Sequence, residues 1–300
     1  SAKAVTTGIE NVFIGASSGE SATTPNYTVA VGKSALGAVL TGDYNTAIGY
    51  HAGLASTSAT LNTLVGALSG DALTEGTTNC TLGYGTLSAD TKGSRSTAMG
   101  YSSLINQNFT SATNSHNSGF GFFALRSNTT GTDNTACGAY ALDDNTTGVE
   151  NTAVGYESQL NTTTGIRNTS VGVDSLRTLT TGSNNVAVGW QCLISNNGEN
   201  NVAVGWQAMG TSTGADGCVA IGREALENTT GDFNTAVGYQ AGQTLTTGIQ
   251  NVFLGVHAGE NATSTQNSVC IGISAGGNAT LTGNNNTCVG NSAGAEISSG

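Results

Sequence analysis

The chain has 300 residues, of which only 9% are charged and 6% aromatic, with 44 glycines and the single proline Pro25. Its net charge of −11, from 8 basic and 19 acidic residues, argues against a nucleic-acid or anionic-membrane partner, since both need a basic footprint. No apolar run approaches the ~20 residues of a membrane span, so no membrane insertion is expected.

Ser1-Ala2-Lys3 does not read as a signal peptide. Without an initial Met, the expectation is a processed product or a segment of something longer. The abundance of Asn, Thr, Ser, Gly, Ala and Val, rather than Pro, Glu and Lys, points away from disorder and toward stacked strands and turns.

From the N-terminus onward one unit recurs: T-T-G-x-x-N-T-A-V-G-Y-x-A-L, then a short variable stretch. Its anchor glycine first appears at Gly15 and recurs through Gly138, Gly155, Gly172 and Gly189 to Gly290, making 17 copies. Most spacings are 17 residues, and the exceptions are 16, 18 and 21. The fold class expected is all-β: a parallel β-solenoid, or β-roll, of 17 stacked coils forming one domain over residues 1–300. A strand spacing of ~4.8 Å would make it a rod of roughly 80 Å.

Each coil is expected to open on Asn, as at Asn45, Asn62, Asn134, Asn151, Asn168 and Asn185. Two readings of that column stay open. The amides bond from coil to coil as a ladder, or each caps its own turn. A short strand follows, in which Thr152 and Val154 are expected to face inward around Ala153. Gly155 turns the chain, because only glycine takes positive φ freely. The residues after it, such as Tyr156 and Ser158, read as a second strand. The T-T-G segment closes the coil. Between Gly100 and Gly121 the spacing lengthens to 21, and a polar loop protruding at about 105–117, with His116, is expected.

N-[TSV]-x-[VIL]-G-x-x-[AS] resembles the head repeats of trimeric autotransporter adhesins, and the longer unit with TTG resembles repeat arrays of phage and bacterial tail-fibre proteins. The resemblance implies an extracellular, cell-surface or virion fibre. It implies self-association as a homotrimer, and no catalytic residues.

The remaining residues offer little chemistry. The six cysteines form no C-x-x-C, and read as small buried side chains. Cys270 and Cys288 share a column in neighbouring coils, close enough to consider a disulfide. His51, His116 and His257 are scattered, where a metal site needs converging ligands. Acids recur in the turn before the strand, at Glu10, Asp43, Asp133, Glu150, Glu199, Asp216 and Asp232. A calcium site or a glycosidase carboxylate pair is weighed there against a solvated edge. Eleven N-x-[ST] sequons include Asn79, Asn108, Asn128, Asn145, Asn168, Asn278 and Asn285.

No cofactor or metal is expected, and the chain is expected not to be an enzyme. TTG at Thr6-Thr7-Gly8 and SSG at Ser298-Ser299-Gly300 hold the same place in the repeat, so the chain is expected either to belong to a longer array or to stack end to end with its copies, in both cases as a structural fibre. An adhesin is the alternative, with Tyr156, Trp190, Trp206 and Tyr239 contacting a surface glycan or host receptor. An ice-binding solenoid is a lesser one.

Overall fold

The computed structural model describes residues 3–277 and 280–297. Asn278 and the Ser298-Ser299-Gly300 motif lie outside the described residues. The regular elements are short β-strands, with no helix among the described residues. The chain divides into two compact units, Ser1–Glu150 and Asn151–Gly300.

In the first unit the ladder runs through Val12–Ile14, Val29–Val31, Thr46–Ile48, Thr63–Val65, Cys80–Leu82, Thr97–Met99, Ser118–Phe120 and Thr135–Cys137. Each strand pairs in parallel with the next in sequence, residue for residue. In the second unit nine such strands run from Thr152–Val154 to Thr287–Val289 in the same way. Parallel pairing of consecutive strands requires the chain to travel a full circuit between them. Each unit is therefore a parallel β-solenoid, all-β as the repeat implied.

Two details of the coil differ from the sequence reading. First, the segment after the anchor glycine is a turn and not a strand. In the coil of Gly189, Gln191 and Leu193 both have φ 51, separated by Cys192. Alternation of left- and right-handed residues throws side chains alternately in and out, as a strand does, without its extended backbone. Its N–H groups still reach both neighbouring coils: Gln191 donates to Val173 O at 3.0 Å and Leu193 to Ala208 O at 3.0 Å.

Second, the strand is turned over. Thr152 is only half-buried and Val154 is 36% exposed, while Ala153 is fully buried. The reason is space. A coil this narrow admits one small strand residue opposite one large turn residue, as Ala187 opposite Leu193 and Ala220 opposite Leu226, all buried. Where the strand residue is large, the turn residue becomes glycine. A Cβ placed on Gly70 would lie 3.0 Å from Leu64, on Gly259 2.5 Å from Phe253, and on Gly19 2.3 Å from Phe13. In most coils the two positions exchange volume; where both are small, as Ala47 with Gly53 and Ala236 with Gly242, large residues of the adjacent coils, Leu36 and Leu64 or Leu226 and Phe253, fill the space.

The insertion is smaller than expected. Gln107, Ser115 and Asn117 are fully buried, so the protruding part is confined to 108–114, and even there Phe109 is tucked inward. Its exit, Thr113–Asn114, pairs in parallel with Gly93–Ser94.

The anchor glycine is the least replaceable residue of the coil. All seventeen have φ between 124 and 146. A Cβ on Gly172 would meet Gly189 O at 2.3 Å. Gly172→Ala is therefore expected to destabilise the chain by about 2–4 kcal/mol, through strain and a backbone clash together. Thr164→Ala on the exposed turn should cost under about 0.5 kcal/mol. Urea unfolding midpoints of the two variants check the contrast.

Candidate functional site

The repeat places like residues above one another, so the chemistry of the molecule is a set of columns rather than a cleft. The Asn column is buried. Asn168 shows its use. Its Nδ2 donates to Gly182 O at 2.9 Å and to Asn151 Oδ1 at 3.2 Å, and its Oδ1 accepts from the Asn185 N–H at 3.0 Å. Asn185 repeats the pattern with Gly198 O and the Asn201 N–H. In the first unit, Asn62 Nδ2 donates to Asn45 Oδ1 at 3.2 Å and Asn134 Nδ2 to Gly148 O at 2.8 Å. Capping of the coil's own turn occurs as well, where Asn45 Nδ2 reaches Gly42 O at 3.3 Å. The two readings of this column are thus combined in one side chain. Asn117 also belongs to it, donating to Gly131 O at 2.7 Å. The irregular spacing around the insertion hid that residue from the sequence reading.

The aromatic column lies on the outside of the second unit. Trp190 and Trp206 stack at 5.5 Å with rings 10° from parallel. The Arg223 guanidinium lies 4.5 Å from the Trp206 ring and 5.5 Å from Tyr239. Tyr239 meets His257 edge-on at 5.2 Å. Tyr156 is exposed in the same column. In the first unit Tyr84, Tyr101 and Phe122 stack in series at 5.3 and 5.4 Å. Stacked rings hide their faces on one another and turn their edges outward.

The acids of the pre-strand turn also serve the backbone. Asp216 Oδ1 accepts the Glu199 N–H at 2.7 Å, Asp232 Oδ1 the Asp216 N–H at 3.0 Å, and Asp43 Oδ1 the Asn26 N–H at 2.8 Å. The histidines do not converge. His51 stacks on Tyr50, His116 lies between Arg95 and Asp133 at 3.3 and 3.1 Å, and His257 faces Glu260 at 2.8 Å. No group of three or more metal-ligating side chains occurs among the described residues.

Cys192, Cys218, Cys270 and Cys288 are buried, and Cys137 is exposed. Burial pushes the Cys192 thiol up to about 12 and Cys218 to about 11. Cys270 and Cys288 sit directly opposite in the ladder, both as free thiols. Among the sequons, Asn79, Asn128, Asn145 and Asn168 are buried, whereas Asn108 and Asn285 are exposed.

Three buried carboxylates, Asp90, Asp143 and Glu224, escaped the sequence reading, and the first two are the deepest. Asp90 is fully buried beneath the insertion. It accepts from the Gly93 N–H at 3.0 Å, the Phe109 N–H at 3.1 Å and Gln107 Nε2 at 2.7 Å. Gln107 continues the network to Ser96 and Asn117, each at 2.8 Å. Burial raises the Asp90 carboxyl above the usual range against those hydrogen bonds. Asp143 pairs with Arg126 at 2.7 Å, yet its Oδ1 is buried with no hydrogen-bond partner. Burial outweighs the Arg126 charge and pushes Asp143 up to about 6.

No protein-family model matches the chain, and no curated protein matches its sequence.

Asn168→Ala removes a donor and an acceptor at once, leaving Gly182 O and the Asn185 N–H buried and unpaired. It should cost about 2–4 kcal/mol in urea unfolding. Asp143 carries a pH signature. Its folded pKa, about 6, exceeds its ordinary value of 3.8. The stability it supports is therefore complete below pH ~4 and lost as pH rises through ~6, a loss of at most about 3 kcal/mol. Relative to wild type, Asp143→Asn should accordingly gain stability between pH 4 and pH 7. Unfolding measured at both pH values tests the sign.

Proposed function

We propose that the chain is a non-enzymatic structural element of an extracellular fibre, carried on a cell surface or a virion. The observation that supports this most is the continuity of the side-chain columns within each unit. The polar groups that chemistry would need, the Asn amides above all, are used in joining one coil to the next. Such a design gives a repeatable spacer whose length grows by adding coils without altering any other part.

The adhesin alternative rests on the aromatic column. In the stack of Trp190, Trp206, Arg223 and Tyr239, a glycan would meet ring edges in place of the ring faces on which sugars stack. The ice-binding alternative needs a free, regular threonine array. Here Thr163 Oγ1 donates to Thr180 O at 3.2 Å and Thr246 Oγ1 to Thr263 O at 2.8 Å, which occupies the hydroxyls between coils. Neither alternative gains from the geometry.

Antibodies against the purified chain, applied to intact source cells or virions and viewed by immunogold electron microscopy, should label thin outward projections. Labelling confined to the cell interior would end the fibre reading. Glycan-array binding that disappears in Trp190→Ala plus Trp206→Ala would restore the adhesin.

A further inference from the structure

The outward side of the sheet is exposed in each unit. Three columns make it: the Thr/Val residue that starts each strand, the apolar residue before the anchor glycine, and the aromatic column after it. In the second unit Val171 and Ile221 are each 40% exposed, and Val188, Val237 and Ile271 similarly so. With the rings beside them, the exposed apolar area of this face is roughly 1,000 Å², beyond the few hundred Å² that a lone soluble chain usually shows. A specific pairing needs about 800 Å² per partner.

Charge and period narrow the occupant. None of the 19 acidic residues falls in these three columns, and Lys33 and Arg223 are the charges they hold. The acids of a chain with net charge −11 are thus kept off this face. A like-charged partner would meet little repulsion here. The face is also ridged at the coil repeat, and the surface certain to carry the same repeat is another copy of this face.

We propose that this face of the second unit is covered by the same face of a second copy of the chain, related by a two-fold axis parallel to the columns of that unit. That axis sets the bulky aromatic column of one copy opposite the smaller Thr/Val column of the other, and brings the central apolar columns together. An axis running across the columns would instead place aromatic on aromatic. The two sheets would lie ~10 Å apart, as packed sheets do. The proposal deepens the fibre reading by naming a partner, and stands or falls on different data from the labelling experiment.

The test uses the full chain. Sedimentation velocity across micromolar concentrations should show a reversible dimer. Val188→Glu plus Ile221→Glu, both on solvent-exposed positions, should weaken it on the order of a hundred-fold by burying unpaired carboxylates. Thr164→Glu plus Thr181→Glu, with the same added charge on the exposed turn, should leave it unchanged. Circular dichroism should confirm that both variants remain folded. Val188 is exposed in the central column of the same unit, so the proposed axis sets it against its counterpart. A short bismaleimide should therefore give a covalent dimer of Cys137→Ser plus Val188→Cys, and none of Cys137→Ser alone. A wild-type monomer at every concentration overturns the proposal, as does a dimer indifferent to Val188→Glu plus Ile221→Glu. A dimer lost in the Val188→Glu plus Ile221→Glu variant but never linked through Val188→Cys overturns the two-fold arrangement.

Discussion

In the coil of Gly172 the Thr169 N–H donates forward to Asn185 O while the Gly172 N–H donates back to Val154 O, each at 2.8 Å. Every interior coil of a unit is bonded this way to the coil before and the coil after. Each must therefore offer the same backbone outline to both sides. A coil that widened, narrowed or changed its path would leave buried N–H and C=O groups unpaired on two neighbours at once. That requirement explains why the chain repeats so uniform a chemistry. It also explains why its one invariant residue is a glycine whose neighbour's carbonyl occupies the place of a side chain.

Constant girth is kept by exchange as well as by repetition. Leu64 with Gly70, and Phe253 with Gly259, place the bulk on the strand side. Ala187 with Leu193 and Ala203 with Met209 place it on the turn side. The polar version is Ala153 with Gln159, whose Nε2 donates to Thr152 O at 2.9 Å and Ser170 Oγ at 2.9 Å. Substituting one member of such a pair leaves either a void or a clash, and in a stack both are transmitted to the coils above and below.

The solenoid, its period and the Asn column were legible because each depends on residues that few others can replace. Which side of the strand faces inward was not. A three-residue strand has two faces, and a one-residue shift exchanges them, so V-A-V is satisfied either way by alternation alone. The large residues resolve it in retrospect. Phe13, Leu64 and Phe253 all stand in the middle position, each followed six residues later by glycine. The turn was mistaken for a strand for a related reason: alternating handedness and extended backbone share a period of two. Asp90 and Asp143 stand at positions whose residue varies from coil to coil, so nothing in one sequence marks them as buried.

A coil that spends its inward side on small apolar packing and its amides on its neighbours has only its outer surface left for anything else. That surface is divided. The pre-strand turn carries many of the acids, tied to the backbone of the next coil by bonds such as Asp232 to Asp216. The sheet face carries Val, Ile, Thr and stacked rings, with no carboxylate. Nothing in the stacking of coils requires that division, since an outward residue on the strand touches no interior. Strand formation favours β-branched side chains there, and Thr alone would serve that preference while staying wet. The column before the glycine holds Val, Leu or Ile in coil after coil, where Thr would suit the backbone equally well. An apolar choice repeated against the solvent, on a chain this poor in apolar bulk, is the pattern that the proposed pairing of two copies would bury.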